Sequence, residues 1–208
     1  MAEGSCGIPH ATRATHEPHV PFLRRTEQKH SLAIAMSGVA LGDRLLQIGC
    51  TDSSLLGAIG SKVGLSGRVC AIVPDDHHAA RARRAAEKSG FLLEIEVGNL
   101  SHFPFEDGAF NLIVVDNQNG MLSSMRPEQR VATLQQAFRT LAPRGRIVII
   151  ERGVRGGLGA LFGSPAPTPV DPHYKSSGGA VAALEAEGFR APRLLAERDG
   201  LSFFEGVR

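Results

Sequence analysis

The sequence predicts a doubly wound α/β domain: a mainly parallel seven-stranded sheet, helices on both faces, and an antiparallel hairpin at the C-terminal end. Three observations predict it. Short apolar runs alternate with amphipathic segments from about residue 44 onward. The runs are nearly continuous Val, Ile and Leu, as parallel strands covered on both faces require. Asp199-Gly200 stands between two further strand-like runs, a strong short-range hairpin signal.

The elements follow in order. Residues 1–20 are rich in Pro, Gly, Thr and His without apolar periodicity and read as a flexible leader; residues 21–208 read as one domain. Phe22, Leu23, Leu32, Ile34, Ala35 and Met36 place a helix over residues 22–36, ended by Gly38 and Gly42. RLLQIG (44–49) is a strand and SSLLGAIGSKVG (53–64) a helix with Gly64 near its end. RVCAIV (68–73) is the second strand, and DDHHAARARRAAEKSG (75–90) an Ala/Arg-rich helix closed by Gly90. LLEIEVG (92–98) and FNLIVVD (110–116) are strands, PEQRVATLQQAFRTL (127–141) a helix, and GRIVIIE (145–151) the fifth strand. The stretch 152–175 repeats Gly and then Pro165, Pro167, Pro169 and Pro172. It is too long for a routine connection and reads as a candidate lid. A helix in 178–189 and the hairpin in 193–207 complete the chain.

Composition narrows the function. Apolar residues at 42% and charged residues at 21% are ordinary globular values, and no apolar run approaches a membrane span. The N-terminus has no apolar core of the kind a secretory signal needs, which predicts a cytoplasmic protein. Cys6, Cys50 and Cys70 form no short metal-type pair and fit free thiols in a reducing compartment. A net charge of +2 does not imply nucleic acid, so no nucleic-acid partner is expected; Arg24, Arg25 and Lys29 form a local basic cluster, either solvated or substrate-facing. His77 and His78 are adjacent on a helix and face apart, so no metal site is expected. No G-x-G-x-x-G, P-loop or G-x-S-x-G pattern occurs, which disfavours nicotinamide, phosphoryl-transfer and hydrolase chemistry.

In an open parallel sheet, ligands sit outside the carboxyl ends of the strands where strand order reverses, beside the first strand-to-helix turn. That turn is Gly49 to Ser54. LLQIGCTDSSLL, RVCAIVPDD, VGNLSHFPFEDGAFNLIVVD and FRTLAPRGRIVIIERG resemble, in order and spacing, the motifs of class I S-adenosylmethionine-dependent methyltransferases with their Rossmann-like sheet. The closest flavour is the small-molecule, ubiquinone/menaquinone-biosynthesis type. The resemblance covers roughly residues 38–208 and implies S-adenosylmethionine as cofactor, a small-molecule acceptor, and a homodimer or protein partner as open options.

Residue by residue, the resemblance implies cofactor contacts at Gln47, Gly49, Cys50, Thr51 and Ser53 of the first turn. It adds Val73, Pro74 and Asp75 after the second strand, Gly98, Asn99 and Leu100 after the third, and Asp116 after the fourth. Catalytic candidates are Asp116 and Asn117, with Gln118 beside them and His102, His173 and Tyr174 as further groups able to move a proton. Where the family has an acid and two more glycines, this chain has Gln47, Thr51 and Ser53; where it has a ribose-holding acid, this chain has Val73. If Thr51 took the glycine conformation, strain of about 1–3 kcal/mol would follow, and Thr51→Gly with Ser53→Gly would tighten binding. A reshaped turn would instead use the oxygens of Thr51, Asp52 and Ser53. Asp75 is expected chiefly to cap the helix that follows it. Phe103 and Phe105 would wall the adenine or simply fill the core. Methyl transfer is the first functional expectation, and a catalytically inactive methyltransferase-fold binding subunit the alternative.

Overall fold

The computed structural model describes residue 1 and residues 21–152 and 171–208; the expected leader over 2–20 and residues 153–170 of the expected lid lie outside the described residues. Helix α1 (Pro21–Ser37) leads into β1 (Arg44–Ile48), α2 (Ser53–Val63), β2 (Arg68–Val73), α3 (Asp76–Ser89), β3 (Glu94–Val97) and β4 (Phe110–Asn117). There follow α4 (Met121–Ser124), α5 (Pro127–Thr140), β5 (Leu141–Arg152), α6 (Pro172–Ser176), α7 (Gly179–Ala186), β6 (Arg190–Arg198) and β7 (Leu201–Val207).

The strands form one sheet in the order β3-β2-β1-β4-β5-β7-β6. The first five are parallel to one another, and β7 runs antiparallel to both β5 and β6. The expected hairpin closes as its residues demand: Asp199 and Gly200 both have left-handed φ, 55° and 73°, as a two-residue hairpin turn of the primed type needs. Chain direction out of β1 reverses between β1 and β4, which places the crevice of the doubly wound sheet above those two strands.

Alternation along each strand builds two cores. Leu45, Ala71, Val73, Val114 and Ile150 meet α1, α2 and α3 on one face; Leu46, Ile48, Ile72, Val115 and Ile149 meet α5 and α7 on the other. Helix α3 lies close because its buried residues are alanines, Ala79, Ala82 and Ala86 at helical spacing, which leaves its arginines outward. The third strand is shorter than the run 92–98 suggests. It has β2 as its one sheet neighbour, its residues are mostly exposed, and Leu92 points to solvent. At the opposite edge, β6 is also mostly exposed and its pairing with β7 is broken twice, between Arg190 and Arg193 and between Leu194 and Ala196. No helix among the described residues is long and apolar enough to cross a membrane.

Candidate active site

The turn after β1 starts on a glycine whose conformation any other residue would adopt only under strain. Gly49 has φ of 79°, and a Cβ built on it would lie 3.2 Å from the Asp116 carbonyl oxygen and 3.2 Å from Met121 Sδ. Its N–H donates to the Ile72 carbonyl at 2.9 Å, so β2 anchors the start of the turn. From there the chain does not follow a glycine-rich course. Among the described residues, the non-glycines with left-handed φ are Arg144, Ala191 and Asp199, so neither Thr51 nor Ser53 is in the glycine conformation. The turn is rebuilt around Asp52.

Asp52 is the N-cap of α2. Its Oδ1 accepts from the Ser54 N–H at 3.0 Å and from the Ser54 hydroxyl, which satisfies donors that a helix start leaves open. Its own N–H donates to Asp116 Oδ2 at 2.9 Å, and Lys29 Nζ pairs with its Oδ2 at 3.0 Å. Burial opposes ionisation of Asp52, but the hydrogen bonds from Ser54 and Lys29 prevail and hold its carboxyl below the usual range. Helix α1 approaches this cap with a kink at His30, which has non-helical φ and ψ of −111° and 15°. His30 is buried, its Nε2 lies 2.8 Å from Ser54 Oγ, and burial lowers its pKa. From the other side Arg81 of α3 donates to the Thr51 carbonyl at 2.7 Å. Three helices thus grip one turn.

Beneath the turn two polar side chains are fully enclosed. Gln47 donates through Nε2 to the Gly49 carbonyl at 3.1 Å, while its Oε1 has no partner among the described residues. A buried acceptor without a donor costs free energy, about 1–3 kcal/mol, unless a ligand supplies one. Asp116, at the end of β4, receives the Asp52 N–H on one oxygen and Gln118 on the other. Burial raises its pKa despite those donors. Burial and the neighbouring Asp116 also push the Cys50 thiol up to about 12, so Cys50 is an inert core residue.

A second cavity, of about 190 Å³, opens beside the carboxyl ends of β2 and β3 and is lined by Ile72, Glu96, Val97, Gly98, Asn99, His102 and Pro104. Gly98 donates to the Val73 carbonyl at 3.0 Å, and Asn99 Oδ1 accepts from the Ser101 N–H at 2.8 Å, which fixes the loop. The crevice at the strand-order reversal, the glycine turn and this flanking cavity lie along one edge of the sheet.

Residues 45–145 match the family model described as a methyltransferase domain. Over that stretch the chain is similar to methyltransferases. Its sheet order and C-terminal antiparallel strands agree with a "SAM dependent methyltransferase from Aquifex aeolicus", TM-score 0.66 at 16% identity, over 89% of this chain and 97% of that one. Among curated proteins it is 26% identical to a catechol O-methyltransferase of Mycobacterium tuberculosis over 71% of this chain. It is 32% identical to an uncharacterized 37.1 kDa protein of a Streptomyces fradiae transposon over 53% of this chain. It spans 64% and 30% of those two proteins' lengths. These similarities do not single out the quinone-biosynthesis subtype. The Aquifex aeolicus protein whose fold this chain shares is named as S-adenosylmethionine-dependent.

The structure distributes the residues expected from sequence in four ways. Gln47, Gly49, Thr51 and Asp116 converge on the first turn, with Ser53 opening α2. Gly98 and Asn99 line the flanking cavity, and His102 joins them. Cys50, Val73 and Leu100 turn their side chains into the two cores, so at these positions the backbone alone is left to face a ligand. Pro74 and Asp75 are exposed; Asp75 caps α3 as expected, with its Oδ1 accepting from the His78 N–H at 2.9 Å. Phe103 is core, edge-on packing pairs Phe105 with Phe110, and neither lines the cavity.

Asn117 is fully engaged: it donates to Glu151 at 2.7 Å and accepts from the Leu122 N–H at 2.7 Å. Tyr174 is buried and donates to the same Glu151 oxygen at 2.7 Å, while His173 is exposed. His30, Arg81 and Glu151 escaped the sequence reading. Each acts across 23 residues or more, and no local pattern announces it.

The rebuilt turn reverses the expected outcome of restoring its glycines. Thr51→Gly with Ser53→Gly relieves no strain and loosens both the turn and the first residue of α2. It is expected to lower stability by about 1–2 kcal/mol and weaken S-adenosylhomocysteine binding three- to tenfold, roughly. Denaturant titration and calorimetry on the double variant measure both; tighter binding would contradict the Asp52-centred turn.

Proposed function

We propose that this domain binds S-adenosylmethionine over the β1 turn and transfers its methyl group to a small-molecule acceptor. One observation carries the reading: the enclosed Gln47 Oε1, lacking a donor among the described residues, lies under a glycine turn crowded for any Cβ, at the reversal of strand order. The chain therefore offers an acceptor suited to an ammonium or N–H group, and a backbone surface that a ligand can approach closely. The donor set fits the amino-acid end of the cofactor, and the cavity bounded by Ile72, Gly98 and Asn99 fits its adenine. A fixed Asn99 retains its amide N–H groups for that base.

When bound, S-adenosylmethionine supplies a sulfonium-activated methyl group open to direct displacement. The chain's contribution is placement. Asp116 holds the Asp52 N–H and with it the whole turn, and Gln118 reinforces Asp116. Asn117 and Tyr174 fix Glu151 at the neighbouring strand end, so the acceptor side is walled by side chains already locked by hydrogen bonds. Positioning of this kind needs no dedicated base; the catalytic region assigned to Asp116 and Asn117 works through orientation. Buried reduced Cys50 and Cys70 support a reducing, cytoplasmic setting.

Calorimetry with S-adenosylmethionine and S-adenosylhomocysteine tests the reading. Both are expected to bind, and ligand at a hundred times its Kd to add about 2.7 kcal/mol of stability, read as a raised Tm. Absence of heat and of any shift at millimolar ligand would overturn it and leave the binding-subunit alternative.

A further inference from the structure

Two carboxylates stand at the carboxyl ends of β4 and β5, and the chain uses them differently. Asp116 spends both oxygens internally, one on the Asp52 N–H and one on Gln118. Glu151 spends one. Its Oε1 accepts from Asn117 Nδ2 at 2.7 Å and from the Tyr174 hydroxyl at 2.7 Å, while its Oε2 has no hydrogen-bond partner among the described residues. Glu151 is half-buried, and that second oxygen is not sealed in the core.

Both donors are themselves fixed. Asn117 is the register partner of Glu151 across the sheet, and its own Oδ1 is taken by the Leu122 N–H. Tyr174 is buried, and the Arg130 guanidinium stacks over its ring at 4.8 Å. Burial, with Glu151 beside it, raises the Tyr174 pKa, so the phenol keeps its proton and stays a donor. A carboxylate held by two donors on one oxygen cannot turn away, and its other oxygen keeps one place.

Charge then selects what that oxygen receives. Both partners of Glu151 are neutral, and Arg130, the cation stacked on Tyr174, is paired with Asp171. An anionic ligand would be repelled, and a neutral one would leave the half-buried charge uncompensated. An ammonium gives it a charge-assisted hydrogen bond.

We propose that Glu151 Oε2 anchors the methyl acceptor through an ammonium group, so that the acceptor is a cationic amine. The assignment rests on the methyl-transfer reading: Glu151 stands opposite Asn117, the residue after Asp116, and so beside the crevice where that reading places the cofactor.

The test is calorimetric titration of the full chain, saturated with S-adenosylhomocysteine in an amine-free buffer, with 2-phenylethylamine, 2-phenylethanol and 3-phenylpropionate. The three probes share one apolar body and differ in the charge at its end. The amine is expected to bind with a Kd below about 1 mM and at least about tenfold tighter than the alcohol, with the carboxylate weakest. Glu151→Gln keeps an oxygen for Asn117 and Tyr174 and removes the charge. It is expected to retain the fold by circular dichroism and to lose at least about tenfold in amine affinity. Glu197→Gln makes the same change in net charge at an exposed position of β6 and is expected to leave that affinity within about twofold. Equal binding of amine and alcohol, lack of amine binding, or equal losses in the two variants would overturn the anchor while S-adenosylhomocysteine heat sustains the methyl-transfer reading. Absence of that heat would overturn both.

Discussion

Gly49→Val is expected to abolish measurable S-adenosylhomocysteine binding and to destabilise the domain by about 3–5 kcal/mol. Two independent effects add. A β-branched residue at φ of 79° is strained wherever it stands, and here its Cβ would also press within 3.2 Å of the Asp116 carbonyl and of Met121 Sδ. Met121 is flexible and can give way; the Asp116 carbonyl is backbone and cannot. Relief must therefore come from the turn itself, which carries the proposed ligand surface. Gly49→Ala separates the parts, because it keeps the φ penalty and reduces the crowding. Denaturant unfolding gives the stability change and calorimetry the affinity; native-like affinity in the valine variant would place the ligand elsewhere.

Asp116→Ala is expected to destabilise by about 2–4 kcal/mol and to weaken cofactor binding at least about tenfold, because the half-buried Asp52 N–H loses its acceptor. Asp116→Asn keeps an acceptor oxygen and removes the charge, and it shows the opposite pH behaviour. Burial raises the wild-type Asp116 pKa above its unfolded value. Its contribution to stability is therefore full below the unfolded pKa, near 3.8, and is lost as pH rises through the folded value. The asparagine variant has no such loss. Its stability relative to wild type should climb with pH across that window and then level off. Paired denaturation curves at several pH values decide the matter, and a relative stability falling with pH would show that hydrogen bonds outweigh burial at Asp116.

The fold was legible wherever the hydrophobic pattern was long. Strands such as FNLIVVD must be buried on both faces, and the Asp-Gly pair dictated a hairpin, so the sheet and its antiparallel finish followed from local physics. Short α4 and α6 were not legible, since four or five residues carry no period. The site was legible in position but only partly in workings. Gly49 announced its backbone conformation, and Asp75 its capping role, because both are local effects. Thr51 suggested strain or rebuilding, and sequence could not choose between them: the decision rests on Arg81, thirty residues away, and on Asp116, sixty-four residues from Asp52. Val73 matched a ribose position in the alignment of motifs, yet alternation along β2 points its side chain into the core.

The two sheet margins carry opposite charge. The lone outer row of β3 bears Glu94, paired with Arg68, and Glu96, while β6 bears Arg190, Arg198, Glu197 and Arg193, the last paired with Glu205. The two register breaks in β6 interrupt the straight ladder that an incoming strand would need, and Pro192 withholds one N–H from it. The irregular backbone of the last hairpin thus makes this margin a poor template for an added strand.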